Sequence, residues 1–327
     1  MVSTRRAAAE RARAAAMAFS KLSGDEQGII LAQLRNKLEP RLIMYFSSAS
    51  KELRALLTPA AQQQLRTEYE EAMALCVKMG MRSCKKLREA TRLEWEDKGL
   101  SEAGLVTLGT LGSVLPALEW LTLHDASGSA GPNGVPRLAE GLVAGSLPAV
   151  TSLCIYVMHV GDAGASALAA ALDRGALPRL VRLALIDTSI GDPGLAALAP
   201  ALRRRPALEL LYLCDNPFGD DGLAALVARP PPAGTPPPPA GGLKELKSLY
   251  LDDCKITDAG CATLAAALIS GALPALGMLD LDHITASASA RAAVYEARAN
   301  LKGGDNDNEE EGEWGEHEDE DEDEPIL

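Results

Sequence analysis

A cassette recurs along this chain from Leu87 to Leu281, and one copy of it reads LKELKSLYLDDCKITDAGCATLAAAL. Aligning the copies puts the first leucine of an L-x-L core at Leu93, Leu121, Leu153, Leu183, Leu211, Leu249 and Leu279, in steps of 28, 32, 30, 28, 38 and 30 residues. Self-similarity at such a period belongs to solenoids. Two residues further on stand Trp95, Leu123, Ile155, Leu185, Leu213, Leu251 and Leu281, which gives a short strand with one apolar side. A turn follows, written S-E-A-G, G-D-A-G, G-D-P-G or T-D-A-G at Ser101–Gly104, Gly161–Gly164, Gly191–Gly194 and Thr257–Gly260. Its Ser, Thr or Asp suits the free N–H groups that open a helix. Apolar residues then recur at threes and fours, as in Leu195, Leu198 and Leu202 or Cys261, Leu264 and Leu268, the buried stripe of an amphipathic helix. One strand and one helix cannot bury their own apolar faces, so neighbouring units must stack into a continuous core.

The pattern resembles the leucine-rich repeat of the ribonuclease-inhibitor type. The resemblance implies an α/β solenoid over residues 87–298, with a curved parallel sheet inside and helices outside, preceded by a small all-helical region over 21–86. It also implies an Asn ladder inside the turns, which only Asn216 keeps. Thr188 and Cys254 can donate there, whereas Ala126 and Met158 cannot, so looser turns are expected in those two repeats. Ile284 at the same position marks the last repeat as a cap.

Composition fits such a core, since 47% of the chain is apolar and only 4% aromatic. Leu, Ala and Val must fill the interior. The six cysteines form no C-x-x-C pair and follow no secretory signal, so reduced thiols and a cytoplasmic or nuclear setting are expected. No apolar run reaches the roughly 18 residues that a membrane span needs.

Residues 1–20 are Ala-rich and basic and read as a solvated tail rather than a transit peptide. Residues 22–56 resemble an F-box in Leu22, Asp25, Glu26, Ile30, Leu31, Leu34, Glu39, Pro40, Ser50, Lys51 and Arg54. Ser23 stands where that motif has Pro, and Leu53 where it has Trp. The resemblance implies that Leu22, Ile30 and Leu34 dock the adaptor subunit of a cullin-type ubiquitin ligase; the alternative is a helical cap over the first repeat. Residues 62–87 read as one long helix, with Tyr69, Met73, Leu75 and Val77 as its packing face.

Residues that alternate with the core leucines face the inner, concave side and escape the packing constraint, so a partner site is expected there. The candidates are Glu94, Glu96, His124, Tyr156, Tyr212, Tyr250, Asp252, Asp280 and Asp282. Thr122, Cys154, Ala184, Ile186 and Cys214 share the two columns, and Asp125, Asp187, Asp215 and Asp253 follow one position later. Carboxylates dominate this set and the tyrosines are the anchors interfaces favour, which points to a basic protein segment as partner. The late Asp residues also suit plain turn formation.

Asp305–Glu324 holds fourteen carboxylates and no Lys or Arg, more than the whole net charge of −13, so the remainder of the chain is close to neutral. A block of this kind is expected to stay disordered, within a tail over 299–327 that serves solubility or a basic partner. Direct nucleic-acid binding by this tail or by the acidic concave face is disfavoured. The proline-rich insertion 229–242 accounts for the 38-residue step and reads as a looped-out, solvated segment. His124, His159, His283 and His317 lie in four unrelated settings, and no nucleophile elbow or phosphate loop accompanies them. No enzyme activity and no cofactor are expected. Repeats followed by an acidic tail also resemble the Ran GTPase activators and the acidic nuclear phosphoproteins, which leaves GTPase activation and chaperoning of basic proteins as alternative functions.

Overall fold

The computed structural model describes residues 37–38, 59–96, 100–227 and 243–303. The F-box-like residues Leu22, Ile30 and Leu34, the basic tail, the proline-rich insertion and the acidic block lie outside the described residues.

Each repeat contributes one strand to a parallel sheet in which sequence order is spatial order: β1 (Arg92–Glu96), β2 (Trp120–His124), β3 (Ser152–Tyr156), β4 (Arg182–Ile186), β5 (Leu210–Tyr212), β6 (Ser248–Tyr250), β7 (Met278–Asp280) and β8 (Lys302–Gly303). The register sets Leu93, Leu121, Leu153, Leu183, Leu211, Leu249 and Leu279 side by side. All seven are at most 2% exposed, so the apolar ladder read from the sequence is the spine of the core. The 38-residue step disturbs nothing in the sheet, because Leu211 still pairs with Leu249. The sheet continues past residue 298 into a short final rung, β8, beside β7.

Helices fill the return path of each repeat and stack in the same order: α3 (Glu102–Leu111), α4 (Gly134–Gly141), α5 (Gly161–Asp173), α6 (Asp192–Arg203), α7 (Asp220–Val227), α8 (Asp258–Ile269) and α9 (Ala288–Glu296). Their stripes are buried as expected, with Leu195, Leu198, Leu202, Cys261, Leu264 and Leu268 all at most 3% exposed. Small residues allow the close spacing. At Gly109 a methyl group would strike the Leu138 carbonyl and Gly141 of the next helix, so α3 and α4 meet backbone to backbone.

The segment before the first strand departs from the single long helix expected over 62–87. It is two helices, α1 (Pro59–Lys78) and α2 (Cys84–Glu89), with Gly80 left-handed at φ 72 between them. Gly80 N–H donates to Val77 O and Met81 N–H to Cys76 O, a helix end that uses a left-handed residue. Ser83 then caps α2. Leu75 is buried and Tyr69 and Met73 pack against the core, but Val77, the fourth expected packing residue, is 69% exposed. α1 lies against α3 and so seals the first repeat.

Helix ends are satisfied across repeats. The Asp of each G-D-x-G turn accepts from the turn of the repeat after it: Asp162 Oδ1 takes Gly191 N–H and Gly194 N–H at 2.8 and 2.9 Å, and Asp192 Oδ1 takes Gly219 N–H and Gly222 N–H at 2.8 and 2.7 Å. Asp220 and Asp258 bind the backbone N–H and hydroxyl of Thr257 and Ser287 in the same way. The turn glycines follow from this arrangement, since a methyl group on Gly194 or Gly222 would press on Asp162 or Asp192. At the opposite helix ends, Arg174, Arg203, Arg205 and Arg298 donate to the last carbonyls of neighbouring helices. Carboxylates at N-termini and guanidinium groups at C-termini both complement the helix dipole.

Among the described residues, Asn216 is the one complete ladder residue inside the turns. Its Oδ1 accepts from Thr188 N–H, Thr188 Oγ1 and Ile190 N–H, and its Nδ2 donates to the carbonyls of Leu185, Leu213 and Cys214. Cys254 continues the ladder by donating to Leu213 O at 3.3 Å. The two repeats without a ladder donor are held by other means. Buried Asp125 accepts from Ser127 Oγ, Ser129 Oγ and Ala130 N–H, while in the next repeat Val160 N–H and Gly161 N–H reach Thr188 O.

Candidate functional site

One face of the sheet packs on the helices, and the residues that alternate with it form the opposite face. Three columns of side chains stand there. The two columns read from the sequence carry all nine expected partner residues, yet the structure does not gather them into one cluster. Glu94 and Glu96 are exposed on β1, with Glu94 paired to Arg92 at 3.1 Å, and half-buried His124 is on β2. Thr122, Cys154 and Ala184 are buried and floor the middle of the sheet beside half-buried Tyr156. The remaining five meet at the C-terminal half. Tyr212 and Tyr250 stack face to face with ring centroids 4.3 Å apart and planes 5° from parallel. Asp280 follows Tyr250 in the same row, and Asp252 and Asp282 occupy the next column, where Arg291 approaches Asp282 at 3.7 Å.

The third column stands one residue before each core leucine, outside the two columns expected from the sequence. It carries Arg92, Trp120, Ser152, Arg182, Leu210, Ser248 and Met278. Two guanidinium groups flank one indole, Arg92 at 4.7 Å and Arg182 at 5.3 Å from the Trp120 ring, and Arg182 also lies 5.4 Å from the Tyr212 ring. Trp120 Nε1 donates to Thr122 Oγ1 at 2.9 Å, which fixes the ring. The face is therefore acidic only in part. The signal was present in the sequence, because a period of two places the residue before the leucine on the same face as the residue after it.

The late Asp residues divide in two. Asp187, Asp215 and Asp253 adopt left-handed backbone at φ 50, 57 and 54, as do Val157 at 48 and His283 at 54 in the same position of their repeats. Asp and His tolerate that region better than most residues, so a turn requirement accounts for these positions. Asp125 is instead the buried acceptor described above.

Electrostatics follow the crowding of carboxylates at the C-terminal half. Burial raises the Asp280 carboxyl above its ordinary value, and Asp252 and Asp282 add to the rise. Asp215 is raised by burial and then by Asp253, Asp252 and Asp187. The Tyr250 phenol is pushed up to about 12 by burial, Tyr212 and Asp280. Burial and Asp252 push the Cys214 thiol up as well. A cation set among these groups would relieve all of these repulsions at once.

A leucine-rich repeat family model matches residues 244–265. Those residues run from the approach to β6 through the turn and into α8. No curated protein matches the chain. Among solved structures, an internalin (inlF) from Listeria monocytogenes is similar at 12% identity, covering 71% of this chain and 93% of that one with a TM-score of 0.29. The sequential parallel sheet and the stacked helices are those of a leucine-rich-repeat solenoid, and the family match places that repeat at residues 244–265.

Among the described residues, no helix is long and apolar enough to cross a membrane.

Proposed function

We propose that this protein is a non-catalytic interaction scaffold that holds a protein partner on the solvent face of its sheet. The observation that supports this reading is the stacked Tyr212–Tyr250 pair bordered by Asp252, Asp280 and Asp282. Rigid aromatic surface beside carboxylates that repel one another favours a segment bearing Lys or Arg. Partners recovered on the immobilised full-length chain should be lost at high salt and lost from the Tyr250→Ala and Asp280→Asn proteins. Recovery unchanged by both substitutions would contradict the reading. Deletion of residues 304–327 should leave binding intact, whereas its loss would favour the acidic tail as the binding element and a chaperone-like role.

The F-box-like residues Leu22, Ile30 and Leu34 support a finer form of the same reading, in which the repeats present a target to a cullin-type ligase. Ile30→Asp should abolish capture of the ligase adaptor while leaving the melting transition of the repeats unchanged. Undiminished capture would remove that form.

A further inference from the structure

The strand face carries a positive group that the acidic reading of it does not use. Arg182 stands at the centre of the sheet, 5.3 Å from the Trp120 ring and 5.4 Å from the Tyr212 ring. Trp120 and Arg182 belong to β2 and β4, and the intervening position on β3 is Ser152, small and buried, which lets the two long side chains meet across it. Among the described residues Arg182 makes no ion pair and no hydrogen bond through its guanidinium group; the rings alone hold it. Ring contacts fix the plane of a guanidinium and leave its fork of N–H donors unspent, the arrangement that suits bidentate binding of a carboxylate. Arg92 does not share this property, because Glu94 neutralises it at 3.1 Å. Further along the same face, past the Tyr212–Tyr250 stack, come Asp280 on β7 and, in the adjacent column, Asp252.

Resting on the reading that the strand face binds a protein partner, we propose that the segment it takes is an extended peptide bearing two opposite charges: a carboxylate on Arg182 and, about six residues away, a Lys or Arg among Asp252, Asp280 and Asp282. The spacing follows from the sheet. β4 and β7 are three strands apart, roughly 14 Å at about 4.8 Å per strand, and the acidic residues stand two to four residues further along the strands than Arg182, so the diagonal is about 16–20 Å, which an extended peptide covers in about five or six residues at ~3.3 Å each. Of the two, a spacing of about six puts both charged side chains on the same side of the peptide. The stacked tyrosines lie between the two charged ends and would pack against the intervening side chains on that side.

Selection of a phage-displayed library of random twelve-residue peptides on the full-length protein tests this. Enriched peptides should carry Asp or Glu and Lys or Arg about six positions apart, in one or the other direction. A synthetic copy of an enriched peptide should bind Arg182→Gln about tenfold more weakly, and replacing the peptide's acidic residue by Ala should remove that difference. Arg182→Lys keeps the charge without the planar fork and should lose most of the same affinity; melting curves of both proteins confirm that they fold. Enriched peptides that are only basic, bind Arg182→Gln within twofold of the original and weaken on Asp280→Asn would overturn the two-charge inference and leave the acidic-face reading standing. Peptides indifferent to both Tyr250→Ala and Asp280→Asn, or no enrichment at all, would overturn both.

Discussion

At the scale of single residues, Asn216 concentrates more hydrogen bonds than any other side chain described. Asn216→Ala would strand buried N–H and C=O groups in two repeats, and each such group costs about 1–3 kcal/mol. A loss of roughly 3 kcal/mol in chemical denaturation is expected, and a change below 1 kcal/mol would show that water replaces the ladder. Val157 is the opposite case. A β-branched residue at φ 48 stores backbone strain that Asp187, Asp215 and Asp253 avoid at the same position, and Val157 is 40% exposed, so its side chain contributes little packing. Val157→Asn is expected to raise stability by about 1 kcal/mol. Asp280 gives a pH dependence with a definite sign. Its folded-state carboxyl holds a proton to higher pH than the unfolded chain does, so its ionisation weakens the fold at neutral pH, and stability from this group returns as pH falls toward the ordinary value of 3.8. Asp280→Asn should therefore raise the melting temperature at pH 7 and leave it unchanged near pH 3. A gain that persists at pH 3 would assign the effect to packing instead. Of these residues, Asn216 was readable from its place in the repeat. The strain at Val157 was not, because no residue type announces a left-handed backbone when a β-branched side chain occupies it.

At the scale of elements, the strands and helices were legible and their ends were not. A period of two and a spacing of threes and fours are properties of neighbouring residues, so Leu121 with Leu123, or Leu195 with Leu198 and Leu202, declare themselves locally. The caps act over a longer range. Asp162 serves a helix that starts thirty residues later, and Arg205 reaches a carbonyl of the previous helix, Leu172 O. Read locally, the Asp of G-D-x-G looks like a cap for its own helix. Asp192→Ala tests the cross-repeat assignment: it should cost about 1 kcal/mol, the usual worth of an N-cap, and hydrogen exchange should quicken at Gly219 and Gly222 rather than at the start of α6. The break between α1 and α2 did have a local signal in Gly80, the left-handed residue at which the helix expected over 62–87 ends. Packing supplies the larger energies. Leu213 is fully buried in the middle of the array, and Leu213→Ala should cost about 2–5 kcal/mol as a cavity. A cost below 1 kcal/mol would contradict the observed register.

At the scale of the whole molecule, stacking turns a sequence column into a row of side chains that runs across the sheet. Tyr212 and Tyr250 are 38 residues apart in sequence and 4.3 Å apart at their ring centroids, and the long insertion between them has no effect on their register. Alignment of the repeats was enough to foresee the tyrosines and the carboxylates of the C-terminal half. It did not show how Arg182 reaches Trp120, because that contact depends on the small size of Ser152 on the strand between them. The strand face consequently has two characters, a guanidinium held by rings near its centre and crowded carboxylates toward β7. The placement of the partner on this face is tested most directly by photo-crosslinking in the cells that make the protein, with benzoylphenylalanine replacing Tyr212 in one protein and Ile269, which is 74% exposed on α8, in another. A partner crosslinked from position 212 and absent from position 269 is the expected result; crosslinks from position 269 with none from position 212 would contradict the assignment of binding to the strand face.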